Sequence, residues 1–213
     1  MLGSPADENS RGADEGPQTR VRITKGFWLG RTEVTQAQWR SVIHSNPRRF
    51  QGNTLPVEQV SWKEAAQFGE RLTEQARASR RLPAGYVFAL PTEAQWKYAA
   101  KAGAAGPFRG KVDERAWHDP NNGPTTDPVG TKQSNTWGLY DMLGNVWEWG
   151  ADWYAPYPGG EAIRLRRTRD RRRQGAPRRQ LASWSAGGAT CERDLPQNGS
   201  DHLGFRLALV PAP

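Results

Sequence analysis

The sequence predicts a mixed α and β fold in which short helices and strands are joined by much ordered loop. Three helix starts share one capping signature, because Thr35, Ser61 and Thr92 are each followed three positions later by Gln or Glu. Ten tryptophans, 23 glycines and 16 prolines favour a compact, loop-rich core over a helical bundle. We therefore expect one α+β domain in these 213 residues.

Local patterns predict the remaining elements. Residues 21–34 are rich in β-branched and aromatic side chains, which indicates a bent strand or a hairpin. The helix after Thr92 is expected to end near Lys101. Residues 103–136, rich in Gly, Pro, Asn and Asp, are expected to form ordered loop, and residues 203–210 a terminal strand.

The N-terminal residues 1–19 are predicted to be a disordered leader, followed by a single domain over residues 20–210. The leader has neither a basic start nor an apolar run, so it is not typical of a signal peptide. This favours a cytoplasmic location, and export with a partner stays open. No stretch approaches the roughly 18 apolar residues that a membrane span needs.

The net charge of +8 comes almost entirely from one segment. The insertion 161–179 holds nine arginines and two acidic residues, which leaves 21 basic and 20 acidic residues elsewhere. Nucleic-acid-binding domains usually spread their basic residues over a folded face. We predict a solvated loop, with contact to an anionic partner as the alternative.

Cysteine and histidine are too scarce for several kinds of site. The only cysteine, Cys191, excludes an internal disulfide framework and a multi-cysteine metal site. His44, His118 and His202 lie far apart in sequence, so a zinc site is not indicated.

Five segments stand in a characteristic order: EVTQAQW (33–39), LPVEQVSWKEAAQF (55–68), FALPTEAQWKYAAKAG (88–103), NTWGLYDMLGNVWEWGADWY (135–154) and GFRLA (204–208). Together they closely resemble the formylglycine-generating enzyme, or sulfatase-modifying factor, family. The resemblance covers about residues 25–155 and 181–208, and LPTEAQW followed by GNVWEW is very specific. It implies an atypical C-type lectin fold, with short twisted antiparallel strands, two or three helices and much ordered loop.

The resemblance also implies a calcium site in GLYDMLGNVWEW. Carried over from relatives, the ligands are the side chains of Asp141 and Glu148 and the carbonyls of Gly144 and Val146. Hard oxygen ligands from an irregular loop suit calcium. The alternative is a metal-free loop in which the two carboxylates accept hydrogen bonds from the backbone.

The family's oxidase chemistry is not expected here. Oxidase members bind copper(I) through two cysteines five residues apart, and soft thiolates suit that ion. In this chain the first position is Ala186 and the second is Cys191. We therefore expect no copper and no enzyme activity, with Cys191 as an inert or packing thiol or as a contact residue.

A second branch of this fold consists of variable ligand-binding proteins that retroelements diversify near the C-terminus. In that branch AAY codons become NNY codons, which cannot encode Glu, Gln, Lys, Met or Trp. Within the candidate variable region 183–203, residues 185–202 break this rule only at Glu192 and Gln197. Trp184 is expected to anchor the loop from below. The predicted contact residues are Ser185, Thr190, Arg193, Asp194, Asn198, Ser200, Asp201 and His202.

The sequence thus predicts a non-catalytic binding protein with a variable face for an unknown protein or other macromolecular ligand. Two alternatives stay open. One is a fixed accessory or regulatory module of the same family. The other is a formylglycine-generating-type oxidase.

Overall fold

The computed structural model describes residues 1–3, 16–104, 111–117, 125–153, 157–163, 179–185, 188–190, 193–194 and 200–213, with residues 179–194 described by their backbone. Its helices are α1 (Gln36–Ile43), α2 (Trp62–Ala78), α3 (Glu93–Lys101) and the short α4 (Val112–Arg115).

The three predicted helix starts are confirmed. In each, the hydroxyl of Thr35, Ser61 or Thr92 accepts from the backbone N–H three residues on, and the side chain there accepts from the cap's own N–H. Helix α3 ends at Lys101 as expected, with Ala102 in the left-handed conformation as its cap. None of the helices among the described residues is both long and apolar enough to cross a membrane.

The strands are β1 (Thr19–Arg22), β2 (Trp28–Leu29), β3 (Tyr86–Ala89), β4 (Trp147–Trp153), β5 (Gly160–Ile163), β6 (Arg179–Ser185), β7 (Gly188–Thr190), β8 (Arg193–Asp194), β9 (Leu203–Gly204) and β10 (Ala208–Pro211). In the described part of the chain they form three small sheets. One pairs β1 with β5 in parallel, one has the order β2-β10-β3, and the largest has the order β7-β6-β4-β9 with β8 also paired to β6.

Two sequence expectations about strands are wrong in detail. Residues 21–34 are not a hairpin, because β1 and β2 belong to different sheets. Residues 203–210 are not one strand, because β9 joins the large sheet and β10 joins the sheet of β2 and β3. The intervening residues 205–207 cross between the two sheets and are buried. Their backbone is held by hydrogen bonds from Val34 N–H to the carbonyl of Phe205 and from Gly30 N–H to the carbonyl of Leu207.

The main core packs around three aromatic side chains from distant segments. Trp39 stacks on Phe68 at a centroid distance of 5.4 Å, and Phe205 meets both edge-on at 6.0 and 5.5 Å. All three are at most 2% exposed. Burying side chains of this size stabilises a fold by roughly 2–3 kcal/mol each, so this cluster fixes α1 and α2 against the crossing segment 205–207.

Both ends of the predicted leader belong to the fold. The N–H of Leu2 donates to the carbonyl of Thr19 at 2.8 Å, and the N–H of Thr19 donates back at 2.9 Å. Leu2 is buried against Ala94 and Tyr157. Residues 4–15, the middle of that segment, lie outside the described residues.

Candidate functional site

The segment predicted to bind ligand is framed by two strands that pair with the same residue. Glu148 of β4 lies opposite Ala182 of β6 on one side and opposite Gly204 of β9 on the other. The segment 185–202 therefore begins at the last residue of β6 and ends at the residue before β9. Because β6 and β9 are both hydrogen-bonded to β4, the spacing between the two ends of the segment is set by the sheet.

Part of the segment is itself sheet, where the sequence pattern indicated loop. β7 pairs antiparallel with β6, with Thr190 opposite Ser183 and Ser185 opposite Gly188. Further along, β8 pairs with the same strand, with Arg193 opposite Gln180. The composition of the segment hid these strands, because it holds few of the β-branched and aromatic residues that favour strands. Their partner β6 precedes β7 by only two residues.

The structure places five of the predicted site residues on three neighbouring strands of the largest sheet. Trp184 and Ser185 lie in β6, Thr190 in β7, and Arg193 and Asp194 in β8. Asn198, together with Ala186 and Cys191 from the cysteine-pair comparison, lies outside the described residues.

The last three predicted residues form a turn that leads into β9. The N–H of Leu203 donates to the carbonyl of Ser200 at 3.1 Å, and that carbonyl also accepts from Gln59 N–H at 2.9 Å. The carbonyl of His202 accepts from Trp147 N–H at 2.8 Å, while the His202 side chain is 66% exposed. The backbone of this turn is thus fixed while its histidine faces solvent.

Arg49 is a residue of this surface that sequence reasoning missed. Its guanidinium forms an ion pair with Asp201, and its hydrogen bond holds the pKa of that carboxyl below the ordinary value. The loop that carries Arg49 is fixed from beneath by Glu58, which accepts from the N–H groups of Arg49 and Phe50 at 2.5 and 2.9 Å. No local signal could have paired two residues so far apart in sequence.

Beneath the face, Glu148 is locked by a buried arginine. The two carboxylate oxygens of Glu148 accept from Arg206 Nε at 2.9 and 2.8 Å, and Oε1 also accepts from Nη2 at 2.7 Å. The indole of Trp96 donates to Oε2 at 2.9 Å. Both charged groups are at most 1% exposed. This charge-assisted contact joins the GNVWEW segment to the GFR segment. It fixes Glu148, the residue of β4 that lies opposite both β6 and β9.

Three of the four residues that the family resemblance assigns to calcium already have hydrogen-bond partners in this arrangement. Both oxygens of Glu148 face the Arg206 guanidinium, so a cation is already in place and Ca²⁺ at Glu148 would have to displace it. The carbonyl of Gly144 accepts from Val146 N–H at 3.0 Å, and Asp141 Oδ2 accepts from Gly130 N–H at 2.6 Å. Among the described residues, no group of three Asp, Glu, His or Cys side chains is arranged to hold a metal. Calcium binding stays a prediction.

Two further carboxyl groups lie buried beside this pair. Glu33 is 1% exposed and Asp141 is 3% exposed. Within the described part of the chain, no hydrogen-bond donor reaches either oxygen of Glu33. The Oδ1 atom of Asp141 likewise has no donor there. Burial, and then the nearby Asp141, raise the pKa of Glu33 well above its ordinary value, and burial also raises the pKa of Asp141. A proton on the carboxyl of Glu33 would supply a hydrogen-bond donor to this pair of carboxyl groups.

We expect the free energy of unfolding to depend on pH through Glu33, and we expect the substitution Glu33→Gln to remove this dependence. The folded state binds the Glu33 proton more tightly than the unfolded state, so the free energy of unfolding should fall as pH rises above about 4.5. The slope for one proton is at most about 1.4 kcal/mol per pH unit. The stability of Glu33→Gln relative to wild type should therefore increase with pH, as measured by urea denaturation between pH 4.5 and 8. Glu70→Gln, an exposed change on α2, should run parallel to wild type, and parallel curves for Glu33→Gln would refute the proton assignment.

The described elements define the class of protein. Short strands in small sheets, few helices and much ordered loop, with GNVWEW and GFR joined in the interior, are the atypical C-type lectin fold of the formylglycine-generating type. The chain belongs to the sulfatase-modifying factor family, since the family profile described as "Sulfatase-modifying factor enzyme 1-like domain" matches residues 2–210.

One curated relative and two solved structures show what this chain is similar to. "Inactive C-alpha-formylglycine-generating enzyme 2" of Mus musculus is 31% identical over 82% of this chain and 56% of its own length. Variable protein 1 of Treponema denticola is 28% identical and covers 87% of this chain and 84% of its own, with a TM-score of 0.74. The structure of PvdO from Pseudomonas aeruginosa is 25% identical and covers 98% and 90%, with a TM-score of 0.80. The chain spans less than two thirds of the length of the first curated relatives it matches.

Proposed function

We propose that this chain is a non-catalytic ligand-binding protein whose face, residues 185–202, is diversified by a retroelement. One observation carries the proposal: the two strands that bound the segment are both paired with β4 at Glu148. We call the two flanking strands β6 and β9, both paired with β4, the frame. A binding face that varies in sequence needs such a frame, because its side chains must change while the backbone at each end of the segment keeps its position. The likeness to variable protein 1 of Treponema denticola supports the same function.

The locked Glu148–Arg206 pair strengthens this argument. Neither residue belongs to the proposed variable segment, and both are inaccessible to a ligand. Their contact stabilises the frame from the interior, so substitutions on the face leave it intact. The ligand proposed for the face is a protein or another macromolecule, and the arginine-rich insertion 161–179 is proposed to contact an anionic partner.

Loss of catalysis follows from the cysteine content. A copper(I) site of the family's kind needs two thiolates, and these 213 residues contain one, Cys191. We therefore expect the protein to bind its ligand without copper and without oxidising it. The inactive mouse relative favours a second candidate, a fixed accessory module that has a single sequence and a single partner.

The deciding experiment is deep sequencing of codons 183–203 from many cells of the source population, together with the flanking DNA. We expect substitutions within 185–202, confined to codons that derive from AAY, beside a near-identical template repeat. The codons of Gly204 and Arg206, which lie in the flanking DNA, serve as the matched control in the same reads. They should stay constant, because an added Cβ at Gly204 would meet the carbonyl of Val57 at 2.7 Å and because Arg206 binds the buried Glu148.

An invariant sequence with no template repeat would remove retroelement diversification and leave the fixed accessory module. Variation spread equally over the segment and the control codons would also count against the proposal, since it would indicate ordinary divergence rather than targeted change.

A further inference from the structure

The loop that carries Arg49 borders the proposed face but lies outside its variable segment. Two buried side chains hold this loop from the interior. Gln36 donates to the carbonyl of Phe50 at 3.0 Å and accepts from Gly52 N–H at 3.2 Å. Glu58 accepts from the N–H groups of Arg49 and Phe50. The backbone of Arg49 is therefore fixed by residues that the proposed diversification does not reach.

The side chain of Arg49 extends from this loop to the turn 200–202. Its guanidinium carbon lies 5.5 Å from the centre of the Phe50 ring, and its guanidinium forms the ion pair with Asp201. The side chain of Arg49 is 64% exposed, whereas that of Asp201 is 19% exposed. The carboxylate of Asp201 thus covers one part of a cation whose remaining surface faces solvent.

Backbone hydrogen bonds hold the turn at the residues on either side of Asp201. The carbonyl of Ser200 accepts from Gln59 N–H at 2.9 Å, and the carbonyl of His202 accepts from Trp147 N–H at 2.8 Å. Both donors lie outside the proposed variable segment. A change of residue at position 201 therefore alters the group beside the guanidinium and removes neither of these bonds.

We propose that Arg49 is a constant contact residue of the face, and that residue 201 decides whether it binds an acidic side chain of a protein ligand. In this chain Asp201 pairs with the guanidinium, whereas a neutral residue at that position leaves it to an Asp or Glu of the ligand. The partner observed in the structure is a carboxylate, so the group taken from the ligand has the same chemistry. This inference rests on the proposed function, because it takes position 201 to be one that varies.

Asn is the most informative replacement for Asp201. AAY codons encode Asn, and a change of their first base to G gives the codons for Asp. If codon 201 derives from AAY, Asp201→Asn is the residue that the unaltered template encodes. The substitution removes one negative charge and keeps the size of the side chain, so it leaves Arg49 without its carboxylate and does not crowd the turn.

Random peptides displayed on phage serve as the probe. They are selected in parallel on two variants of the full chain, Asp201→Asn and Asp201→Asn with Arg49→Gln. Both variants keep the arginine-rich insertion 161–179, so acidic peptides bound by that insertion appear equally on both. We expect peptides that share one Asp or Glu position to be enriched on Asp201→Asn alone.

Affinities of a selected peptide give the size of the effect. It should bind Asp201→Asn about tenfold more tightly than wild type, equivalent to one charge-assisted hydrogen bond, and Arg49→Gln should abolish this gain. Arg49→Lys keeps the charge and should retain part of the gain. Glu70→Gln removes the same charge from the exposed side of α2 and should bind the peptide as wild type does. Circular dichroism of each variant checks that the fold is retained.

Two results would overturn the proposal. One is an equal share of acidic peptides on the two selected variants, and the other is a selection that yields no peptide on Asp201→Asn. Sequencing of codons 183–203 tests the proposed function separately. Codons that vary without any effect of Arg49 would remove this inference alone, whereas an invariant codon 201 would remove the diversification on which it rests.

Discussion

Arg206→Met is expected to lower the free energy of unfolding by about 3–5 kcal/mol, the usual cost of removing one partner from a buried ion pair. The reason is that Glu148 would keep its charge at a position 1% exposed, with only the Trp96 indole still donating to it among the contacts described. Chemical denaturation in guanidinium, followed by tryptophan fluorescence, measures the loss. A retained fold would show weaker protection of the β4 amides from hydrogen exchange, since Glu148 lies where β6 and β9 are paired.

Two control variants separate this effect from a general loss of charge. Arg20→Met breaks the exposed pair with Glu161, whose side chains are 73% and 76% exposed, and should cost less than about 1 kcal/mol. The double variant Arg206→Met with Glu148→Gln removes the stranded charge and should recover part of the loss. A cost for Arg206→Met no larger than that for Arg20→Met would show that the buried pair does not stabilise the frame.

Gly144→Ala is expected to destabilise the fold by about 4 kcal/mol, in the range seen when a substitution forces backbone atoms apart. A Cβ at this position would lie 2.0 Å from the carbonyl oxygen of Trp117, and the glycine has a φ of +145°. That carbonyl cannot move away freely, because it accepts from Asn145 N–H at 3.1 Å. Thermal unfolding followed by circular dichroism checks the prediction.

Gly138→Ala is the matched control for backbone strain. Gly138 has a φ of +76°, and an added Cβ there would meet no atom within 4 Å. Its cost should be only that of the left-handed conformation, roughly 1–2 kcal/mol. If the two alanine variants were equally stable, close approach to Trp117 would not be the reason for the glycine in GNVWEW.

The elements that could be predicted are those whose cause is local. A capping box involves a hydroxyl, a Glu or Gln and two N–H groups within four residues, so Thr35, Ser61 and Thr92 identified their helices correctly. Strand pairing has no such local cause. Residues 203–210 divide between two sheets, because the partners of β9 and β10 come from distant parts of the chain. Residues 188–190 and 193–194 pair with the nearby strand β6, but their composition does not indicate strands.

The candidate site shows the same division. The sequence alone determined the family and the presence of a single cysteine, and it predicted a binding face near the C-terminus, since each depends on residues in order. Only the tertiary structure decided what GNVWEW does in this arrangement. Glu148 binds Arg206 and Trp96, and it lies opposite Ala182 and Gly204 of the strands that flank residues 185–202. The pairing of Arg49 with Asp201 likewise required the folded chain. The physical reason is range, because hydrogen bonds and ion pairs act over a few ångströms in space, whatever the separation in sequence.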